Sequence, residues 1–273
     1  MIMRRSAWFW PQLGLTLLVC AFLIVPVLMS MLAGVTKNYF VGVSSGLTLD
    51  WVLKVWNDYR GPVLLSVKLA FACLACTLLL GVPAAYVLAR RPNALTRVIE
   101  ELLVMPVAVP GIATALALIV TYGKFGEFRT SWLFILVGHV LFTLPFMVRS
   151  VLAVMTSIDL GTLEEGARSL GASFAQRFWG VVLPNCRSGI VAGALMVVTL
   201  SLGEFNMTLL LHTPLTQTLP VGLADTYASL RLEIGSAYTL VFFVIIIPLL
   251  VAMQWAARRA PTISARRTAS DSA

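Results

Sequence analysis

EEGARSLGASFAQRFWGVVLP, residues 164–184, is a polar stretch between two long apolar runs, and its local signals decide how the chain is organised. Thr162-Leu163-Glu164-Glu165 has capping-box spacing, in which a Thr side chain accepts from an orphan amide and a Glu three residues on returns the bond. A helix is expected to start there. Leu163, Ala167 and Leu170 then share one face, with Glu164, Glu165 and Arg168 around the rest. Gly171 suits a left-handed C-terminal turn because it lacks a Cβ. Ser173-Phe174-Ala175-Gln176 repeats the spacing and predicts a second short helix carrying Phe174, Phe178 and Trp179, closed by Pro184. Such a helix–glycine–helix element is too short to own a core, and its apolar surface needs a cover. Two covers are open: the membrane surface with the protein's own helix ends, or a docking partner.

The rest of the chain is far oilier. Of 273 residues, 59% are hydrophobic and 12% charged, against about 25% charged in soluble domains. Several apolar runs exceed the roughly 20 residues that a helix needs to cross a bilayer, and backbone hydrogen bonding in lipid then dictates an all-α, polytopic helical bundle. Short alternating segments of a β-barrel are absent from the sequence. The formal charge of +8 comes from small basic clusters beside the ends of apolar runs, a topological placement that argues against nucleic acid. Cys73 and Cys76 have CxxC spacing inside an apolar run with no second pair, so packing is expected rather than metal or redox chemistry. No cofactor is implied. Arg4 and Arg5 precede an apolar run, Leu13 to Val35, that is longer than a signal-peptide core of about 7–15 residues, and a retained first span is expected.

Six spans follow: about Pro11–Val35, Pro62–Ala89, Ile99–Tyr122, Trp132–Met155, Ser188–Leu211 and Ala237–Ala257. A single transmembrane domain, residues 1–260, would include the polar loop at 157–187 and be followed by a polar tail at 261–273. Lys and Arg divide unequally between the two sets of connections. The set holding both termini, the Arg90-Arg91 turn and the 157–187 loop is about twice as rich, which places both termini and that loop in the cytoplasm.

Ionisable side chains inside spans are costly and are functional candidates. Lys68, His139 and Glu204 all fall roughly 9–12 Å below the outer surface at 1.5 Å per residue. A polar layer with a Lys68–Glu204 pair beside the substrate path is one reading. The other has Lys68 snorkelling to the interface and His139 bonding a neighbouring helix. Ser201-Leu202-Gly203-Glu204-Phe205-Asn206 gathers an acid, a helix-weakening glycine and an amide, so Glu204 and Asn206 are pathway candidates. Pro106-Val107-Ala108-Val109-Pro110-Gly111 is the densest backbone break, either a hinge or a tolerated kink.

Glu165-Gly166-Ala167, three residues, Gly171, nine residues, Val181, one residue, Leu183-Pro184 resembles the EAA pattern of type I ABC importer permeases. Gly166 and Val181 depart from the family's alanine and isoleucine. The resemblance implies a membrane-spanning permease subunit in a bacterial inner membrane, multi-pass in lipid. It also implies partners: cytoplasmic ABC ATPase subunits, a second permease subunit and an extracytoplasmic solute-binding protein. Carried over, Glu165, Ala167 and Gly171 would form the docking core, Glu164 and Arg168 its edge, and Leu183-Pro184 the exit to span five. The chain has no G-x-x-x-x-G-K-[ST] loop, consistent with ATP hydrolysis by a partner. Residues 203–230 resemble permeases of the polyamine, ferric-iron and phosphonate group, aminoethylphosphonate systems above all. A rival reading is a secondary transporter or channel using Glu204 and His139 as a proton relay. An intramembrane enzyme is disfavoured: two histidines, His139 and His212, supply no paired ligands or nucleophile–base motif.

Overall fold

The computed structural model describes residues 8–91 and 93–258. The Arg4-Arg5 pair and the polar tail at 261–273 lie outside the described residues. Among the described residues the chain is mostly helical, in the order α1 (Phe9–Ala33), α2 (Asp50–Arg90), α3 (Ala94–Ala108), α4 (Gly111–Tyr122), α5 (Gly126–Thr130), α6 (Trp132–Ser157), α7 (Leu160–Ser169), α8 (Phe174–Arg177), α9 (Leu183–Asn185), α10 (Arg187–Gly203), α11 (Thr208–Leu211), α12 (Leu219–Ala228) and α13 (Leu232–Arg258). Among the described residues four helices are long and apolar enough to cross a membrane, and up to six spans result if two sharply bent helix pairs each count as one. The expected bundle is thus present.

The chain divides into two compact units. In the first, residues 1–60 with 222–244, α1 presents its apolar side chains outward, as a helix that faces lipid does. Its end is fixed to α12 and to the start of α13: Ser30 and Tyr227 hydroxyls meet at 3.1 Å, and a Cβ on Gly34 would lie 2.5 Å from the backbone nitrogen of Ala237. Arg231 donates to the Tyr59 hydroxyl at 2.6 Å and pairs with Asp225 at 3.0 Å. α2 begins twelve residues earlier than the expected Pro62, at Asp50, and leaves helical geometry at Tyr59 (φ −126°, ψ 17°). Pro62 explains the kink, since its ring obstructs the turn before it while the helix resumes beyond.

The second unit, residues 61–221 with the described residues from 245 onward, holds the main core and both sites described below. In it α6 packs against α10. Gly189 and Gly193, one turn apart, bring α10 onto α6 so tightly that a Cβ at 189 would lie 2.5 Å from the Ser150 carbonyl oxygen. This is small-xxx-small packing, which substitutes backbone approach for the hydrophobic drive that lipid removes.

Two expected spans are not continuous helices. α3 and α4 meet at 101°. Val109, pushed extended by Pro110 (φ −85°, ψ 130°), ends α3, and the proline then opens α4. The Pro106–Gly111 motif is therefore a full break rather than a kink. The fifth expected span, Ser188–Leu211, stops as a helix at Gly203, where Glu204 is extended (φ −70°, ψ 121°), and only one short turn, α11, follows.

Candidate functional site

The polar loop forms two short helices, but its first does not start where the capping-box spacing placed it. Asp159 is the cap: its carboxylate accepts from the Thr162 amide at 3.2 Å and the Thr162 hydroxyl at 2.6 Å, leaving Thr162 inside α7. The Thr162 hydroxyl, with the amide behind it, holds the Asp159 carboxyl below the usual carboxylate range. The face that turns inward is also not the one carrying Leu163, Ala167 and Leu170. Leu160 and Glu164 are buried, whereas Leu163 and Leu170 face outward.

Glu164, which the resemblance sets at the edge of the docking core, is 1% exposed. The end of α2 supplies the groups that make this burial possible. Tyr86 donates to Glu164 Oε1 at 2.8 Å, and Arg90 Nε lies 2.9 Å from Oε2 in an ion pair, though off the line of a well-aligned hydrogen bond. A buried carboxylate is tolerated when paired in this way. Tyr86 also meets Phe178 edge-on at 5.5 Å between ring centroids. Glu164 thereby ties α7 to α2, and Glu165, Gly166, Arg168 and Gly171 are left on the exposed side with Ala167 half-buried.

Gly171 has φ 82°, as its place after α7 requires. Its amide reaches the Arg168 carbonyl at 2.9 Å and the Ala172 amide reaches Ala167 at 3.1 Å, the paired closure of a Schellman end. Ser173 and Gln176 make both bonds of the expected capping box. Phe174–Arg177 then runs into a π-helical turn, Phe178–Val182, and α9. Pro184 therefore does not close this helix. The wider π turn accommodates a residue with no N–H to give, and the chain bends by 70° only after Asn185. Leu183 is half-buried beside that bend.

The second cluster forms where the two broken spans meet. The backbone of Gly111, at the head of α4, comes close enough to the Glu204–Met207 segment that a Cβ there would lie 3.4 Å from the Met207 nitrogen and 3.6 Å from Glu204 Oε1. Glu204 accepts from the Met207 amide, the Thr208 amide and the Thr208 hydroxyl at 2.8, 2.8 and 2.6 Å. At the other end of α11, Arg129 donates to the Leu211 and Leu210 carbonyls at 2.7 and 3.1 Å. A four-residue helix thus has an acid at its N-terminus and a guanidinium at its C-terminus, each satisfying orphan backbone groups and opposing the local dipole charge.

His139 completes the cluster, buried between Ser201 and Thr208 at 2.8 and 2.9 Å. Because the Thr208 hydroxyl gives its one hydrogen to Glu204, it accepts from His139 Nε2, and neutral His139 then takes the Ser201 hydrogen on Nδ1. Nε2 stands 3.8 Å from Glu204 Oε2. His139 and Glu204 are therefore brought together. Lys68 is not: its ammonium sits 3.8 Å above the Trp132 ring, and no Lys68–Glu204 ion pair forms among the described residues. Asn206 is exposed beside Gly111, its Cβ 3.5 Å from where a Gly111 Cβ would stand. Sequence reasoning missed Arg129, which looked like an ordinary loop charge, and Tyr86 and Arg90, whose partner lies far along the chain.

The model for the binding-protein-dependent transport system inner membrane component family matches residues 78–260. The molybdenum transport system permease protein ModB of Mycobacterium tuberculosis is 29% identical over 230 residues, 76% of this chain and 83% of that protein. The sulfate transport system permease protein CysW of Synechocystis is 29% identical over 207 residues, 70% and 74% of the two chains. The putative 2-aminoethylphosphonate transport system permease protein PhnV of Salmonella paratyphi A is 25% identical over 247 residues, 89% and 92%. In fold, the chain is similar to a bacterial ABC transporter involved in alginate import (TM-score 0.70, 16% identity, 93% of this chain and 96% of that one). It is also similar to the MetNI methionine ABC transporter (TM-score 0.58, 20% identity, 72% and 92%). The chain belongs to the family of binding-protein-dependent transport system inner membrane components: it is a permease subunit of an ABC importer.

Proposed function

We propose that this permease lies in a bacterial cytoplasmic membrane with both termini inside, and that its α7–α9 hairpin docks a separate ATPase subunit. A second permease subunit completes the pathway and an extracytoplasmic binding protein delivers the substrate. The observation that carries the docking role is the outward cluster around Gly171: Leu170 is 89% exposed and Trp179 70%, with Leu163, Phe174 and Glu165 beside them. So much apolar surface on helices without a core needs a partner. The Glu164 tie to α2 supports force transfer, because a push on α7 is carried to a membrane-crossing helix through a buried ion pair. ATP energy then acts as a difference in affinity between two conformations of the spans.

We place the pathway beside the Glu204–Met207 break. Non-helical backbone at membrane depth is tolerated where it is covered by protein or lines a cavity, and helix heads at such breaks favour anions. Glu204 already accepts three hydrogen bonds from its own loop, so it positions the break, while Asn206 is the residue set to meet substrate. That saturation favours a small anion, of the kind named for the sulfate and 2-aminoethylphosphonate relatives, over a polyamine.

Single cysteines at Leu170 and Trp179 test the reading. They are expected to crosslink to the co-expressed ATPase and to be reached by impermeant reagents only from the cytoplasmic side. Labelling from outside, or no crosslink in an assembled complex, refutes it. ATPase stimulation by sulfate, 2-aminoethylphosphonate and spermidine, each with its binding protein, decides the substrate class.

A further inference from the structure

Arg177 carries a polar group that nothing above explains. Its Nε is shielded from solvent and has no hydrogen-bond acceptor, and its guanidinium makes no ion pair among the described residues. A buried charged donor without an acceptor is costly, so an anion is to be expected there. Arg177 lines a cleft of about 790 Å³ together with Arg90 and Arg91. The buried Glu164 carboxylate answers Arg90, and no other acid lines the cleft. Two positive charges are left over.

The cleft also has a direction. On α2 the wall continues away from Arg91 as Val87, Pro83 and Leu80, spaced by four, four and three residues, so all lie on one helical face. All three are exposed, and they belong to a helix long and apolar enough to cross the bilayer. A cationic cleft thus opens onto an apolar, lipid-level stripe. A free phosphate would use the arginines and ignore the stripe. An acidic protein segment would use the arginines but would have no reason to follow the stripe into the membrane.

We propose that this cleft binds the headgroup phosphate of an anionic phospholipid, with an acyl chain along Val87, Pro83 and Leu80. The phosphate accepts from Arg177 and Arg91, as basic pockets between membrane helices do with anionic headgroups. The site shares Phe174 and α8 with the docking hairpin proposed above, but it rests on the arginines and the apolar stripe, so either reading can fail without the other.

The test uses the purified full chain, titrated with dioleoyl phosphatidylglycerol, dioleoyl phosphatidylcholine or inorganic phosphate, and read by native mass spectrometry and thermal unfolding. Phosphatidylglycerol is expected to stay bound and raise the unfolding midpoint; phosphatidylcholine and inorganic phosphate are expected to do neither. Arg91→Gln and Arg177→Gln should each weaken retention about fivefold and together about 25-fold, at roughly one basic residue's worth apiece. Arg177→Lys, which keeps the charge, should retain most of the binding, and Lys124→Gln, remote from the cleft, all of it. Equal retention of the two lipids, an equal shift with inorganic phosphate, or undiminished lipid binding in the double variant would overturn the proposal. Undiminished lipid binding with loss of the ATPase subunit would reassign the arginines to a protein partner.

Discussion

Gly189→Ala is the sharpest probe of how this bundle holds together. An added Cβ would lie 2.5 Å from the Ser150 carbonyl oxygen, 2.9 Å from Val154 Cγ2 and 3.1 Å from Val151 Cα. The first of these is about 0.8 Å inside the ~3.3 Å at which carbon and oxygen ordinarily meet. Ser150 O is main chain, so no rotamer change relieves the clash and α6 must move away from α10. Opening a packed contact by this much forfeits about a quarter to a half of the dispersion attraction across it. We expect a loss of about 2–3 kcal/mol, at the upper end for an overpacked core. Gly193→Ala meets Met147 Sδ at 2.8 Å and Met147 Cα at 3.2 Å. The sulfur can swing aside, so about 1 kcal/mol is expected. Gly14→Ala, with nothing within 4 Å on an exposed part of α1, should be neutral or stabilising by up to about 1 kcal/mol, since alanine is the better helix former. Equilibrium unfolding of the three variants in mixed micelles, followed by tryptophan fluorescence, gives the order directly. A Gly189→Ala protein as stable as the parent would refute the claim that close backbone approach joins these helices.

Four other outcomes are expected. Glu204→Ala strips the Met207 and Thr208 amides of their acceptor at about 1–3 kcal/mol each, so it should abolish uptake and destabilise the protein, whereas Glu204→Gln keeps one acceptor oxygen and should retain partial uptake in transport assays. Gly171→Val forces a β-branched residue to φ 82°, a strain of about 1–2 kcal/mol, and should lower recovery of the ATPase subunit in pull-downs while leaving the spans folded by circular dichroism. Tyr86→Phe removes one bond to the buried Glu164 carboxylate and should lower coupled uptake, with Glu164→Gln in the same background restoring stability by removing the underpaired charge. Asp159 has its folded carboxyl depressed, so its cap on α7 is fully present above the unfolded aspartate value and is lost as pH falls through the folded one; the protection factor of the Thr162 amide, its exchange rate corrected for the intrinsic pH dependence, should fall on acidification in the native protein and stay constant in Asp159→Asn.

Residues whose meaning is carried by neighbours in the chain were legible from the start. Hydropathy over the long apolar runs required an all-α membrane bundle, because lipid offers the backbone no hydrogen bonds. The Ser173–Gln176 box and the Gly171 turn are local devices, and both stand as the spacing predicted. The weak point of span five was visible as Ser201 to Asn206, although its depth as a full break was not.

Tertiary structure decided the rest, and the reason is the same in each case. Glu164 points inward because Tyr86 and Arg90 stand 78 and 74 residues before it in sequence and a few ångströms away in space. Glu204 hydrogen-bonds its own loop and stands beside His139 rather than Lys68, because two broken helices meet there in place of a pair of straight spans. A ladder of helical bonds is written in consecutive residues. The partner of a buried charge is chosen by whichever distant side chain packing delivers to it.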